Sequence, residues 1–352
     1  MRQTVITILA LAALAAPPPP VGAQSLPERI SASVREHVET LRTVRYQQGR
    51  EEQTDRQTKT VKIGTDGELT LGNIAGDITV TRANGGEATI EIVKTARART
   101  VDEAREFLGL VTVTVTERSG RAEVKTVYPP GDEMRRNNRR NVNVSVAYTV
   151  STPAGTRLTI GSISGSINAS GIKGDVSANS ISGSVHIANA GRIASAKSIS
   201  GDVEILDTQT DGTMEVSSVS GTVTVRKVAA RSIDVGSISG SVVVQDARCD
   251  RVQAHTISGN VEFGGTLAKG GRYELNSHSG DVRVALAGNT GFEVEATSFS
   301  GSIRSDFPVT IGGDRSGQQF SPRRRALRGV YGDGSAVLSL TSFSGSVVIT
   351  KR

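Results

Sequence analysis

Ser162-Ile163-Ser164-Gly165-Ser166-Ile167 is the stretch that decides how this chain folds, because close copies of it return to the C-terminus. The glycines that anchor the copies are Gly165, Gly183, Gly201, Gly221, Gly240, Gly259, Gly280, Gly301 and Gly345. The steps between them are 18, 18, 20, 19, 19, 21, 21 and 44 residues, the last being about two steps run together. A fixed period near 20 is the signature of a repeat architecture.

Within each copy the apolar residues keep fixed offsets. Two residues before the glycine stand Ile163, Ile181, Ile199, Val219, Ile238, Ile257, His278, Phe299 and Phe343. Two after it stand only Val or Ile, and four after it apolar residues such as Ile187, Ile205, Val225, Val244 and Phe263. Ser, Thr, Asp or Asn fill the gaps, giving the period-two alternation of a strand with one buried face. The positions two before the glycine are therefore expected to point inward. A second pair, seven and five residues before the glycine (Leu158 and Ile160, Ile233 and Val235, Leu338 and Leu340), slips parity once against the first. The slip marks a corner, so one repeat is a coil of two short strands. Such a coil buries too little to fold alone and must stack on its neighbours. The expectation is an all-β chain: a parallel β-solenoid, or β-helix, of about 18–21 residues per coil. A β-propeller would need blades of about 40 residues or more.

Residues 1–23 read as a signal peptide, with Arg2 ahead of an apolar core and Val21-Gly22-Ala23 as a cleavage site. No cysteine follows to carry a lipid anchor, and no later apolar run reaches the ~18 residues of a membrane span. Residues 24–60 are expected as an N-terminal helix and linker. The helix covers about 26–46, with Ile30, Val34, Val38 and Leu41 on one face, and the polar linker covers 47–60. The solenoid domain spans 61–352, and Leu69, Leu71, Ile74, Gly76, Ile78 and Val80 reproduce the coil code early. Residues 84–155 are irregular, a small α+β excursion with alternating segments and a helix from about Val101, capped by Thr100 and Glu103. Regular coils run over 156–305, a basic loop over 306–334 and a final coil over 335–352. Lys351 and Arg352 then follow the terminal strand and discourage further strand addition.

The copies Asn73-Ile74-Ala75-Gly76-Asp77-Ile78, Ser198-Ile199-Ser200-Gly201-Asp202-Val203 and Ser277-His278-Ser279-Gly280-Asp281-Val282 carry a family resemblance. Over about residues 60–352 the chain resembles the bacterial putative-adhesin, or toastrack, family, a domain of unknown function. That resemblance implies a β-solenoid, an exported or envelope location and a binding role. Some relatives are associated with envelope-stress modules. It carries over no catalytic residue.

Chemistry is sparse. Gly161-Ser162-Ile163-Ser164-Gly165 has Ile where a nucleophile elbow needs Ser. No phosphate loop, HExxH or calcium nonapeptide occurs, so no cofactor or metal is expected. Asp77, Asp202 and Asp281 follow their glycines and Asp175 stands elsewhere in a coil. They read as an outward polar ladder, with a carboxylate cluster as the alternative. Cys249 is the only cysteine, which excludes an internal disulfide; it reads as a half-buried loop thiol. His278 is anomalous in an inward slot, with Asp281 or His255 as its candidate partners. Two arginine runs, Arg135, Arg136, Arg139, Arg140 and Arg323, Arg324, Arg325, Arg328, are candidate contacts for anionic ligands. The formal charge is +6, or +5 once Arg2 leaves with residues 1–23. Few aromatics and an exported route argue against nucleic acid.

The expected function is a non-enzymatic exported scaffold, adhesin-like, periplasmic or at the cell surface, binding envelope polysaccharide, anionic lipid or an envelope protein. The alternatives are an envelope-stress protein-binding module and, less favoured, a carbohydrate-active β-helix enzyme.

Overall fold

The computed structural model describes residues 51–130, 143–309 and 325–352. The signal peptide, the helix of 26–46 and the arginines 135, 136, 139, 140, 323 and 324 lie outside the described residues.

The repeat is a coil of two strands, each in its own parallel ladder. Strand Asp175–Ser180 pairs with Arg157–Ser164 on one side and Arg192–Ser198 on the other, Ala178 standing opposite Ile160 and Ala196. Strand Val185–Ala188 pairs likewise with Ile167–Ser170 and Val203–Leu206. Equivalent residues therefore stack on one another, and a single apolar core forms between the two ladders. Leu158, Ile160, Val176, Ile193, Val216, Ile233 and Val235 fill it from the first ladder; Ile167, Val185, Val203, Val223 and Val242 fill it from the second. The protein is a parallel β-solenoid, and burial plus ladder bonds hold it without a disulfide.

Both ends depart from simple succession. At the N-terminal end, Arg121–Val127 pairs with Glu68–Ala75 and Val144–Pro153 pairs with Ile78–Ala83. The irregular region thus supplies a coil that precedes the first regular one in space. Around it lie antiparallel strands and the helix Val101–Leu110. Thr100 accepts the Glu103 N–H at 3.2 Å and the Glu103 carboxylate accepts the Arg99 N–H at 3.0 Å, so the helix start is capped much as its sequence suggests. Residues 51–60, expected as linker, are instead part of strand Glu51–Lys62, antiparallel to Glu87–Ala98. Its side chains read as linker because nearly all face solvent; backbone pairing and the ion pairs Arg56–Glu91, Arg97–Glu52 and Lys94–Asp55 hold it in place.

At the C-terminal end, the last coil in sequence is not the last in space. Ala336–Ser342 lies between Arg272–Ser279 and Phe292–Ser298, and Val347–Lys351 lies between Val282–Ala287 and Ile303–Ser305. Lys351 and Arg352 therefore do not guard an open edge; Arg352 instead pairs with Asp246 at 2.7 Å. Within 306–334, read as a basic loop, Arg325–Tyr331 is a strand antiparallel to Phe292–Ser298. Tyr331 packs there with Phe292 and Phe307, ring centroids 4.9–5.4 Å apart. Aromatic burial and a reversed strand cover an end that coil succession would leave bare.

Among the described residues eleven coils run in stacking order from Arg121–Pro153 to Phe292–Ser305. Ten steps at about 4.8 Å make a stack roughly 48 Å long.

Candidate binding groove

The inward reading of the residues two before each glycine is overturned. Ile163, Ile181, Ile199, Val219, Ile238, Ile257, Phe299 and Phe343 keep between 38% and 51% of their surface exposed. The buried residue is the one before, Ser162, Ser180, Ser198, Ser218, Ser237, Thr256, Ser277, Ser298 and Ser342. The first strand keeps its parity through this position, so the corner falls at the glycine itself and not before the apolar residue two ahead of it.

Hydrogen bonding explains how a hydroxyl can replace an alkyl group there. Ser198 Oγ donates to the Gly183 carbonyl of the preceding coil at 2.9 Å and accepts the Gly201 N–H of its own coil at 2.9 Å. Ser218, Ser237, Thr256, Ser277, Ser342 and Ser298 donate in the same way at 2.8–2.9 Å. A buried polar group is tolerated when its bonds are made, and here each hydroxyl also satisfies backbone that turns the corner. Asn73 holds the position in the first coil and reaches the carbonyls of Gly76 and Val146 at 2.8 and 2.7 Å.

The displaced apolar side chains form a ladder up one edge of the solenoid. It begins at Val127, passes through half-buried Ile74 and the six residues from Ile163 to Ile257, and ends in His278, Phe343 and Phe299. The last three rings stack in parallel, centroids 4.8 Å apart, at the spacing of the strands that carry them. Beside the ladder runs a groove of about 930 Å3. The ladder makes one wall and the buried hydroxyls the floor. The opposite wall is the residues four before each glycine, among them Gly72, Gly161, Ser217 and Gly236. Those small side chains leave the groove open. At Gly236 the space is taken by His255, whose ring atoms lie 2.4 Å from where a Cβ would stand.

The residues singled out in the sequence are not brought together. His278 is exposed and stacked on Phe343, not inward, and it touches neither Asp281 nor His255 in any hydrogen bond. Of the arginines within the described residues, Arg325 is exposed at a strand start and Arg328 is paired with Glu295. Asp77, Asp202 and Asp281 accept the N–H of Ser166, Thr222 and Ser346 in the next coil at 2.8–2.9 Å. Their carboxylates bind coil to coil. Asp175 lies 3.8 and 3.5 Å from Arg157 and Arg192. Among the described residues no group of three His, Cys, Asp or Glu could hold a metal ion.

Cys249 is a buried strand residue within Val242–Ser258, a correction of its loop placement. Burial, helped by Asp250, pushes its thiol from the ordinary 9.0 up to about 12. A raised folded pKa means a contribution to stability that is full below 9 and lost as pH rises through about 12. At pH 8 a thiol reagent should modify Cys249 only as fast as denaturant opens the fold, a rate that aromatic-disulfide titration measures directly. Rapid labelling of the native protein would overturn this placement.

The groove found no advance notice in the sequence beyond one signal: the apolar residue two before the glycine sits out of phase with the pair at minus seven and minus five. The family model described as Toastrack DUF4097 matches residues 67–350. The chain belongs to the toastrack family. No curated protein matches it. The solved structures to which it is similar include the following three, each covering 85% of this toastrack chain. One is a putative cell adhesion protein from Clostridium sporogenes, 10% identical over 100% of its own chain, TM-score 0.24. Another is a putative adhesin from Bacteroides fragilis, 13% identical over 97% of its chain, TM-score 0.39. The third is a putative lipid binding protein from Parabacteroides distasonis, 13% identical over 97% of its chain, TM-score 0.41. No helix among the described residues is long and apolar enough to cross a membrane.

Proposed function

We propose that this toastrack protein is a non-catalytic binding scaffold, exported to the bacterial envelope or cell surface, and that the ladder and its groove are the binding face. The observation that carries the reading is the line of Ile, Val and Phe side chains, interrupted only by the stacked ring of His278, along the eleven coils of the described residues. Solvent-exposed apolar residues normally stand singly; a contiguous apolar strip is a contact surface. Sequence selection for a buried core does not explain it, since the core is complete without these side chains. Asp77, Asp202 and Asp281, the post-glycine carboxylates read as a possible cluster, each accept a backbone N–H of the next coil, which weighs against the enzyme alternative.

The test is co-sedimentation of the exported chain with peptidoglycan, surface polysaccharide and total-lipid vesicles, beside the double variant Ile181→Asp/Ile199→Asp. Binding to one of the three should weaken at least ~10-fold in the variant, a change of about 1.4 kcal/mol, while the melting temperature stays near that of the parent. Equal binding by variant and parent would remove the ladder as the contact surface. No binding by the parent to any of the three would remove the envelope role.

A further inference from the structure

Taking the ladder and groove as the binding face, we propose that the groove's ligand is a long-chain anionic amphiphile of the fatty-acid type. Its acyl chain lies along the ladder and its carboxylate sits at Lys125.

The floor decides that the occupant is apolar. On it Ser198, Ser218 and Ser237 have given their protons to glycine carbonyls of the preceding coil, and Ser162 has given its proton to Gly165 of its own coil. A sugar or peptide laid between that floor and the Ile and Val wall would lose more hydrogen bonds to water than it could remake there, a cost that an alkyl chain does not meet. The shape decides that it is long and thin. From the level of Lys125 to that of Ile257 the groove crosses seven coil steps, roughly 34 Å at about 4.8 Å each. Its volume of about 930 Å3 lies within the range of small-ligand sites.

Charge decides the head group and where it sits. Among the described residues the groove is lined by Lys125, Lys197 and His255 and by no carboxylate. Lys197 is already neutralised by Glu215 at 2.6 Å. Lys125 has no ion pair among the described residues and stands at the N-terminal mouth, opposite Gly72 in the ladder register. The glycines at 72 and 161 keep that mouth wide enough for a head group. An amphiphile's carboxylate there gains a charge-assisted contact that no side chain of the described protein supplies.

The chain has no tryptophan, so a dansyl-labelled undecanoic acid serves as the probe, its emission rising on entry to an apolar site. Hexadecanoate should displace it at a concentration at least ~5-fold below that of hexadecanol, about 1 kcal/mol. Lys125→Gln should bring hexadecanoate to the level of hexadecanol and leave hexadecanol unchanged. Ile181→Asp should abolish displacement by both, and Ile181→Ser, which introduces no charge, should weaken both. Far-UV circular dichroism and melting check that each variant is folded. Three results would overturn the inference: no displacement by hexadecanoate, equal displacement by acid and alcohol in the parent, or a dimer that Ile181→Asp converts to monomer. The first two with envelope binding still lost in Ile181→Asp/Ile199→Asp would leave the binding face standing and exclude only this ligand. Envelope binding indifferent to that double variant is the separate result that removes the face itself.

Discussion

Gly201→Ala is expected to destabilise this solenoid by more than about 3 kcal/mol, beyond the usual cost of inserting a methyl group into a packed interior. A Cβ at Gly201 would stand 2.3 Å from the Gly183 carbonyl oxygen and 2.5 Å from its carbon. Both are backbone atoms of the coil below, so no side chain can move aside, and relief requires the two coils to part. Parting them stretches the neighbouring ladder bonds, including those of Ser198, which spans the same two glycines. The same contact recurs at Gly183, Gly221, Gly240, Gly259, Gly301 and Gly345, where the distance to the stacked glycine's oxygen is 1.9–2.3 Å. Gly161→Ala is the control. Nothing lies within 4 Å of its Cβ, and the change should stay within about 0.5 kcal/mol, as surface substitutions do. Urea unfolding measures both. Because coils interact with nearest neighbours, hydrogen exchange in Gly201→Ala should rise most in the coils around residues 175–226. A Gly201→Ala protein as stable as Gly161→Ala would mean that the coils are not in this register.

The second large effect reverses what hydropathy leads one to expect. Ser198→Val, which adds apolar bulk at a buried site, should cost about 2–4 kcal/mol, since it leaves the Gly183 carbonyl and the Gly201 N–H unpaired at roughly 1–3 kcal/mol each. Ile199→Ser, which removes apolar bulk next door, should cost under about 0.5 kcal/mol of stability. Side-by-side thermal and urea melts decide the matter. If Ile199→Ser proved the more damaging, the isoleucine would be the core residue and the groove would not exist. Ile199→Ser should, however, weaken any ligand held by the ladder, so its signature is full stability with reduced binding.

The two substitutions also mark where hydropathy stops being a guide. Alternation counts alkyl groups, and Ile163 to Ile257 have the alkyl groups. Ser162 to Ser277 have instead a hydroxyl that can close a corner by bonding backbone above and beside it. The energy of that closure exists only once two coils are stacked, so no single copy of the repeat reveals it. The same blindness applies to strand Glu51–Lys62. Its side chains stay in water, and its pairing is a property of the backbone opposite, Glu87–Ala98. His278 looked like a polar intruder in the core for the same reason. Once the ladder is known to be outside, the residue is one more ring in the stack with Phe343 and Phe299.

By itself the sequence determined the architecture. A glycine every 18–21 residues, with Val or Ile always two beyond it, leaves no fold but stacked two-strand coils, because only stacking buries such short strands. It determined, too, the place and cap of the helix at Val101, a local matter of one turn. The tertiary structure alone decided the rest. It placed the C-terminal coil between two earlier ones, since every coil presents nearly the same ladder and succession in the chain does not dictate succession in space. It also turned a row of isoleucines outward to make a groove, because which of two adjacent residues faces the core depends on hydrogen bonds to a neighbouring coil.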